Sequence, residues 1–265
     1  MSLFLGQLTP TISYAASPQL LDFRPIEVTS QELLEKLSEK AAAFPLTSEK
    51  FQTIRVQAWN MSITKDSQST RFVTFVMPEQ YKITRKPDGS LSIVVRAGQP
   101  VDNVGNPLDV TDEGIPPVGT LIWSDHFPAD STLFPGHAPV HSENVDEFLK
   151  QGMGIDVVPD TAEYFGAVRG LLMEQYLNGA QNAALLRFLS QLPNIRVAGS
   201  VVDRLGREGI AIATTRYWLN DEISEYIIIS PQTGRILAVE TVNEATTTHL
   251  GQPGPIVTGY HAWER

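Results

Sequence analysis

Tyr226-Ile227-Ile228-Ile229-Ser230-Pro231-Gln232-Thr233-Gly234-Arg235-Ile236-Leu237-Ala238-Val239-Glu240 is the stretch on which the fold turns. Tyr226 to Ile229 carries aromatic and β-branched residues with no polar alternation, the pattern of a strand covered on both faces. Pro231 pre-sets φ early in the following turn and Gly234 supplies a left-handed position late in it. Arg235 to Glu240 therefore runs back as a partner strand. Working outward, Ile195 to Val202 and Ile210 to Thr215 read as two earlier strands. Asp203 to Gly209 turns between them, and Asn220-Asp221-Glu222 is polar turn chemistry. The whole segment from Pro193 to Asn243 predicts a four-stranded meander, expected at the centre of the fold.

Helical patterns precede it. Asp160-Thr161-Ala162-Glu163 has capping-box spacing and opens a stripe of Phe165, Val168, Leu172 and Tyr176, which Asn178-Gly179 is expected to end. Leu185, Phe188, Leu189 and Leu192 mark a further amphipathic helix. Ser142 reads as the N-cap of a short helix through Phe148 and Leu149. Nearer the start, Thr29 and Glu32 form another capping box, with Val28 placed to staple onto Leu33. Leu33, Leu34, Leu37, Ala41 and Phe44 give that helix its buried stripe.

Between these helices lies a β-rich half. Phe51 to Thr64 places Ile54, Val56 and Ala58 on one face and Arg55, Gln57 and Trp59 on the other. Lys65 to Gln68 is a turn. Arg71 to Met77 and Tyr81 to Thr84 read as separate strands, and Pro87-Asp88-Gly89 turns into Leu91 to Val95. Residues 98–119 form a long irregular excursion, Leu121-Ile122-Trp123 a short strand, and 125–141 a Pro- and His-rich loop. A last strand is expected within Pro255 to Trp263.

Composition narrows the function. With 265 residues and 42% hydrophobic side chains the chain buries a sizeable core. A net charge of −10 argues against a nucleic-acid surface and against docking on anionic lipid. The absence of cysteine excludes disulfides, thiolate metal sites and a cysteine nucleophile. No run of about 18 apolar residues is present to span a bilayer. Met1 to Gly6 lacks the basic n-region of a signal peptide.

Catalytic signatures are weak. There is no G-x-S-x-G, no P-loop and no G-x-G-x-x-G after a strand, so no cofactor is expected. His137 and His141 are four apart, but Pro135, Gly136 and Pro139 forbid the helix that would make them a metal pair. His126, flanked by Asp125 and followed by Pro128, is a candidate for one half of an acid–base pair with a carboxylate. Asp102, Asp109 and Asp112 with Asn103 and Asn106 are oxygen donors, at spacings that fit no EF-hand. No metal site is expected. Trp59, Phe72, Phe75, Tyr81 and Trp123 cluster in the first β half. Either they pack as core or, in a curved sheet, they line an apolar cavity, and they are the candidate ligand-binding residues.

Several stretches resemble the extracytoplasmic part of actinobacterial, membrane-anchored proteins of unknown function. They are Tyr14-Ala15-Ala16-Ser17-Pro18 with Leu21-Asp22-Phe23-Arg24-Pro25, Ile54-Arg55-Val56-Gln57-Ala58-Trp59, Leu192-Pro193-Asn194-Ile195-Arg196-Val197, and Ser230-Pro231-Gln232-Thr233-Gly234-Arg235-Ile236-Leu237. The likeness spans roughly residues 14–242. It implies a membrane helix just before the first stretch, which this sequence lacks, a cell-envelope location, and a genetic link to alternative sigma factors. It carries over no catalytic residue. More distantly, a helix with a curved antiparallel sheet is similar to the half-barrel (LolA-like) lipoprotein carriers and to the periplasmic sensors that regulate anti-sigma factors.

The expected fold is therefore α+β: a large curved antiparallel sheet, built from both β halves, packed around helices. Residues 1–28 are an extended lead-in. Residues 29–265 form one domain with two β lobes, 29–141 and 142–265; two abutting domains split near 142 are the alternative. The expected function is an extracytoplasmic binding or sensing domain for a lipid or other apolar ligand, or for an envelope protein partner. The alternatives are a hydrolase using His126 with a carboxylate, and a purely structural interaction module.

Overall fold

A computed structural model describes residues 18–44, 52–65, 72–99, 116–154, 158–246 and 254–264. In chain order the elements are α1 (Ser30–Ala43), β1 (Gln52–Lys65), β2 (Phe72–Arg85), β3 (Leu91–Ala97), β4 (Leu121–Phe127), α2 (Val145–Met153), α3 (Thr161–Glu174), α4 (Gly179–Leu189), β5 (Arg196–Val202), β6 (Glu208–Trp218), β7 (Asp221–Ile229), β8 (Ile236–Asn243) and β9 (Ile256–Trp263). The strands make one open sheet in the order β4-β3-β2-β1-β9-β8-β7-β6-β5, and every pairing is antiparallel. The class is α+β, with a large curved sheet packed, among the described residues, against four α-helices.

The meander forms as its alternation and turns require. Ile227, Ile228 and Ile229 are fully buried, Ile227 and Ile229 facing the helices and Ile228 the opposite face. The meander does not hold the centre. β9 occupies the middle of the sheet, pairing β8 on one side and β1 on the other, and so welds the two β halves together.

The helix-covered face carries the main core. Leu34, Val168, Leu172, Leu186, Ile212, Ile227 and Trp263 meet there with no exposure, and each aliphatic side chain among them contributes about 1.5–3 kcal/mol of transfer free energy. The opposite face is crossed by the lead-in. Leu21 and Phe23 pack on it, Phe23 stacking on Tyr226 at 4.8 Å. At the β5 edge Arg24 and Ser200 exchange both backbone hydrogen bonds at 2.8 Å. The chain then rounds that edge and enters α1 through the Thr29–Glu32 capping box.

Several local expectations are corrected. Phe44 is the exposed C-cap of α1, not part of its stripe. Residues 72–85 are one strand rather than two, running through Pro78. The carbonyl of Pro78 accepts from Gly98 N–H at 2.7 Å just where β3 ends, so the missing proline N–H falls beyond the β3 ladder and breaks nothing. Asn178-Gly179 does not end α3, which stops at Glu174; Asn178 instead caps α4 with Gln181. Ser142 begins a 3-10 turn, and the helix proper starts at Val145. The β6–β7 turn is Leu219-Asn220, with Asp221 and Glu222 already in β7. The Lys65–Gln68 turn, apart from Lys65, and most of the 98–119 excursion lie outside the described residues.

The Pro- and His-rich segment after β4 is pinned from below. The Glu174 carboxylate accepts from the N–H groups of Leu133 (2.9 Å) and Phe134 (3.0 Å). The Gln175 amide accepts from Ala138 N–H and donates to the Phe134 carbonyl. Phe134 is thereby seated against Gly152, where any Cβ would lie 2.0 Å from its ring.

At Gly234 the β7–β8 turn packs directly on the α1 backbone. Its φ is +65°, and a Cβ there would sit 2.2 Å from the Leu37 carbonyl oxygen. Gly234→Ala is expected to lower unfolding free energy by roughly 2–4 kcal/mol, combining left-handed strain with overpacking. Gly206, at φ +77° with open space around it, is the control: Gly206→Ala should cost only about 1–2 kcal/mol. Equal midpoints for the two variants in urea would show that α1 does not seat on this turn.

Candidate functional site

The aromatic candidates are split between the two faces. Trp123, Val95, Tyr81, Val56 and Trp263 form one cross-strand row on the helix-covered face. Tyr81 is half-buried there and its hydroxyl donates to Glu79 at 2.6 Å; burial and that carboxylate push its pKa up. Trp123 is partly exposed on the edge strand. Trp59 lies on the opposite face, fully buried and parallel to the Tyr260 ring at 6.4 Å, with no hydrogen-bond partner for its indole N–H among the described residues. Phe72 and Phe75 pair with Lys65 and Ser62 at the far end of the β1–β2 ladder; their side chains lie outside the described residues. Trp59 instead helps to line a cavity of about 430 Å³ beneath Pro18 to Asp22, beside Arg204 and Tyr260.

The histidine candidates stay on the surface. His126 is exposed on β4, its Nδ1 3.2 Å from Ser92 Oγ. Asp125 accepts from the His126 backbone N–H rather than from the ring. His137 and His141 are exposed on the pinned segment. Among the described residues no group of three or more His, Asp or Glu side chains is arranged to hold a metal ion. The carboxylates at 102, 109 and 112 lie outside the described residues.

A site that periodicity did not reveal lies between α3 and the sheet. Glu225, Thr241, Gly259 and Asn60 form a cross-strand row over β7, β8, β9 and β1. Gly259 has no side chain at the middle of this row, and a Cβ added there would come within 3.2 Å of Asn60 Oδ1. With α3 overhead, a cleft of about 360 Å³ remains. Its α3 wall is Ala162, Glu163, Phe165, Gly166 and Arg169, the Glu163 carboxylate being engaged by the Asp160 N–H; its floor includes Val239, Thr241, Thr258 and Arg216.

The charges in the cleft are unequal. Glu225 is satisfied: one oxygen accepts from Arg216 Nε and Nη2 at 3.3 and 3.2 Å, the other from Thr241 Oγ1 at 2.8 Å. Arg216 is thereby neutralised. Arg169 makes no hydrogen bond or ion pair with the described residues, and its charge acts on His261, one row deeper. Burial first, and Arg169 second, drive the His261 pKa down to about 3, so this imidazole is neutral near pH 7. The cleft thus offers an exposed guanidinium with no hydrogen-bonding partner among the described residues, beside the apolar walls of Phe165 and Val239; the Thr241 and Thr258 hydroxyls already donate, to Glu225 and to the Thr241 carbonyl. Among the described residues lining it there is no nucleophile–base pair.

The fold and the cleft define an α+β protein with a polar-headed, apolar-walled pocket between helix and sheet. No protein-family model matches the chain, and no curated protein matches it in sequence.

Proposed function

We propose that the protein is a binding or sensing domain whose α3–sheet cleft takes a small amphipathic anion, with the charged head at Arg169 and the apolar body against Phe165 and Val239. The observation that carries this reading is Arg169, a guanidinium lining the cleft without a hydrogen-bonding partner among the described residues. A carboxylate, sulfonate or phosphate supplies that partner. The apolar-ligand expectation is thereby narrowed to one with an anionic end. Extracytoplasmic placement and a sigma-factor-linked role rest on the sequence resemblance. Among the described residues no helix is long and apolar enough to cross a membrane. A hydrolase centred on His126 has less support, because that imidazole lies at the exposed sheet edge and Asp125 does not bond its ring.

The test is titration with 8-anilinonaphthalene-1-sulfonate, whose ring system and sulfonate match the cleft. Arg169→Gln is expected to weaken binding about ten- to a hundredfold, the loss of one hydrogen bond to a charged group. Arg187→Gln, on exposed α4 surface, should leave it unchanged. Unaltered affinity in Arg169→Gln defeats the proposal. Native mass spectrometry of protein purified without detergent would then identify the natural ligand by mass.

A further inference from the structure

The β6–β7 hairpin ends in three consecutive exposed apolar side chains: Tyr217, Trp218 and Leu219 are 73%, 46% and 58% exposed. The hairpin runs past the end of β5, whose pairing with β6 stops at Ala213. Trp218 pairs with Asp221, leaving Leu219-Asn220 as a two-residue loop with φ of +49° and +72°. Two positive φ values are what such a loop requires, and Asn-Gly or Asp-Gly is its favoured sequence. Asn220 tolerates the conformation; leucine at φ +49° is strained. Folding alone favours a polar residue or glycine here, so Leu219 stands against local preference, as strained residues do at functional positions.

We propose that this tip is a membrane-docking finger that inserts into the interface of a neutral, zwitterionic phospholipid bilayer. Trp and Tyr settle at the headgroup level because each has an apolar body and one polar atom, and leucine reaches below them. The flanks specify the lipid. Arg216 is paired with Glu225, Glu222 is exposed, and the chain carries −10, so among the described residues of the hairpin tip no free cation is turned to an anionic surface. The size of the patch argues against a protein partner. Three side chains offer on the order of 300 Å², whereas a stable protein interface takes roughly 800 Å² from each side. A convex tip entering lipid needs no matching surface.

Arg216 both lines the cleft and directly precedes Tyr217. Docking by this finger therefore sets the cleft beside the bilayer, from which an amphipathic anion partitions. That consequence rests on the cleft reading; the docking does not.

The experiment is flotation of the full chain with phosphatidylcholine vesicles, comparing the natural protein with a triple variant, Tyr217→Ser, Trp218→Ser and Leu219→Asn. The natural protein should float, and the variant's bound fraction should fall by more than about tenfold, since each buried side chain is worth about that factor. Vesicles with added phosphatidylserine should bind the natural protein less well. Leu219→Asn alone should keep or raise the melting temperature, which separates lost docking from lost folding. Arg169→Gln should still float while losing the fluorescent anion, so failure of the cleft reading and failure of docking are distinguishable. Absence of flotation, or equal flotation by the triple variant, overturns the proposal. So does a dimer in sedimentation that the variant dissolves without any vesicle binding, which would assign the tip to a second copy.

Discussion

Arg204→Met is expected to lower unfolding free energy by about 3–5 kcal/mol, the cost of stranding a buried charge. The charge is Glu240, 2% exposed on the sheet face opposite the helices. Arg204 meets both its oxygens, Nε at 2.9 Å and Nη2 at 2.6 Å. The same guanidinium donates to the Gln19 carbonyl at 2.8 Å and lies 5.7 Å from the centre of the Tyr260 ring. It therefore holds the lead-in against the sheet as well as neutralising Glu240. Burial keeps the Glu240 carboxyl above its ordinary range even with Arg204 present; without it the pKa rises further.

The sign of the pH effect follows. Between its unfolded pKa and a raised folded pKa, Glu240 binds more protons in the folded state, so stability falls as pH rises. The deficit of Arg204→Met relative to the natural protein should be larger at pH 7 than at pH 5. Urea unfolding at pH 7 and pH 5 measures it. Arg204→Met with Glu240→Leu should recover most of the loss, because an apolar pair needs no desolvated charge. A deficit that is independent of pH, or absent, would show that Glu240 does not depend on Arg204.

The second large effect is acid lability from His261. Its imidazole packs beneath α3 beside Tyr81, at a ring distance of 6.4 Å. Its folded pKa is about 3 against an ordinary 6.5. Between those values the unfolded chain binds the extra proton, so stability rises with pH there. Each unit of acidification below about 6.5 should cost about 1.4 kcal/mol, levelling off near pH 3. His261→Gln should flatten this limb while leaving the midpoint at pH 8 closer to that of the natural protein. Comparing urea midpoints at pH 8 and pH 5 decides it; the same slope in both proteins would place the acid sensitivity elsewhere.

Much of this architecture was legible in the residues. Capping boxes at Thr29 and Asp160 located two helix starts, because side chain and backbone there are neighbours in sequence. Pro231 and Gly234 located the β7–β8 turn for the same reason. The errors have a physical pattern. Asn178 was read as a stop although its side chain accepts from Gln181 N–H and starts α4; the two roles share one residue type. Residues 71–77 and 81–84 read as two strands but Phe72–Arg85 is one, and Pro78 is tolerated within it because β3 ends where its missing ladder bond would fall. The aromatic set of Trp59, Tyr81 and Trp123 looked like one cluster, and strand pairing sends Trp59 to the face opposite the other two.

The sequence by itself determined the class: strands from alternation and turn chemistry, helices from caps and stripes, a buried β7 from its run of isoleucines. Tertiary structure alone decided that the last strand, β9, stands in the middle of the sheet, and that Arg169, Glu225, Thr241, Gly259 and Asn60 share a cleft. Alternation states that a segment is a strand and which side chains share a face; it is silent on the neighbour. Pairings such as Trp59 with Tyr260 join residues at opposite ends of the chain, and they form only when both β halves have apolar edges to bury against the same strand.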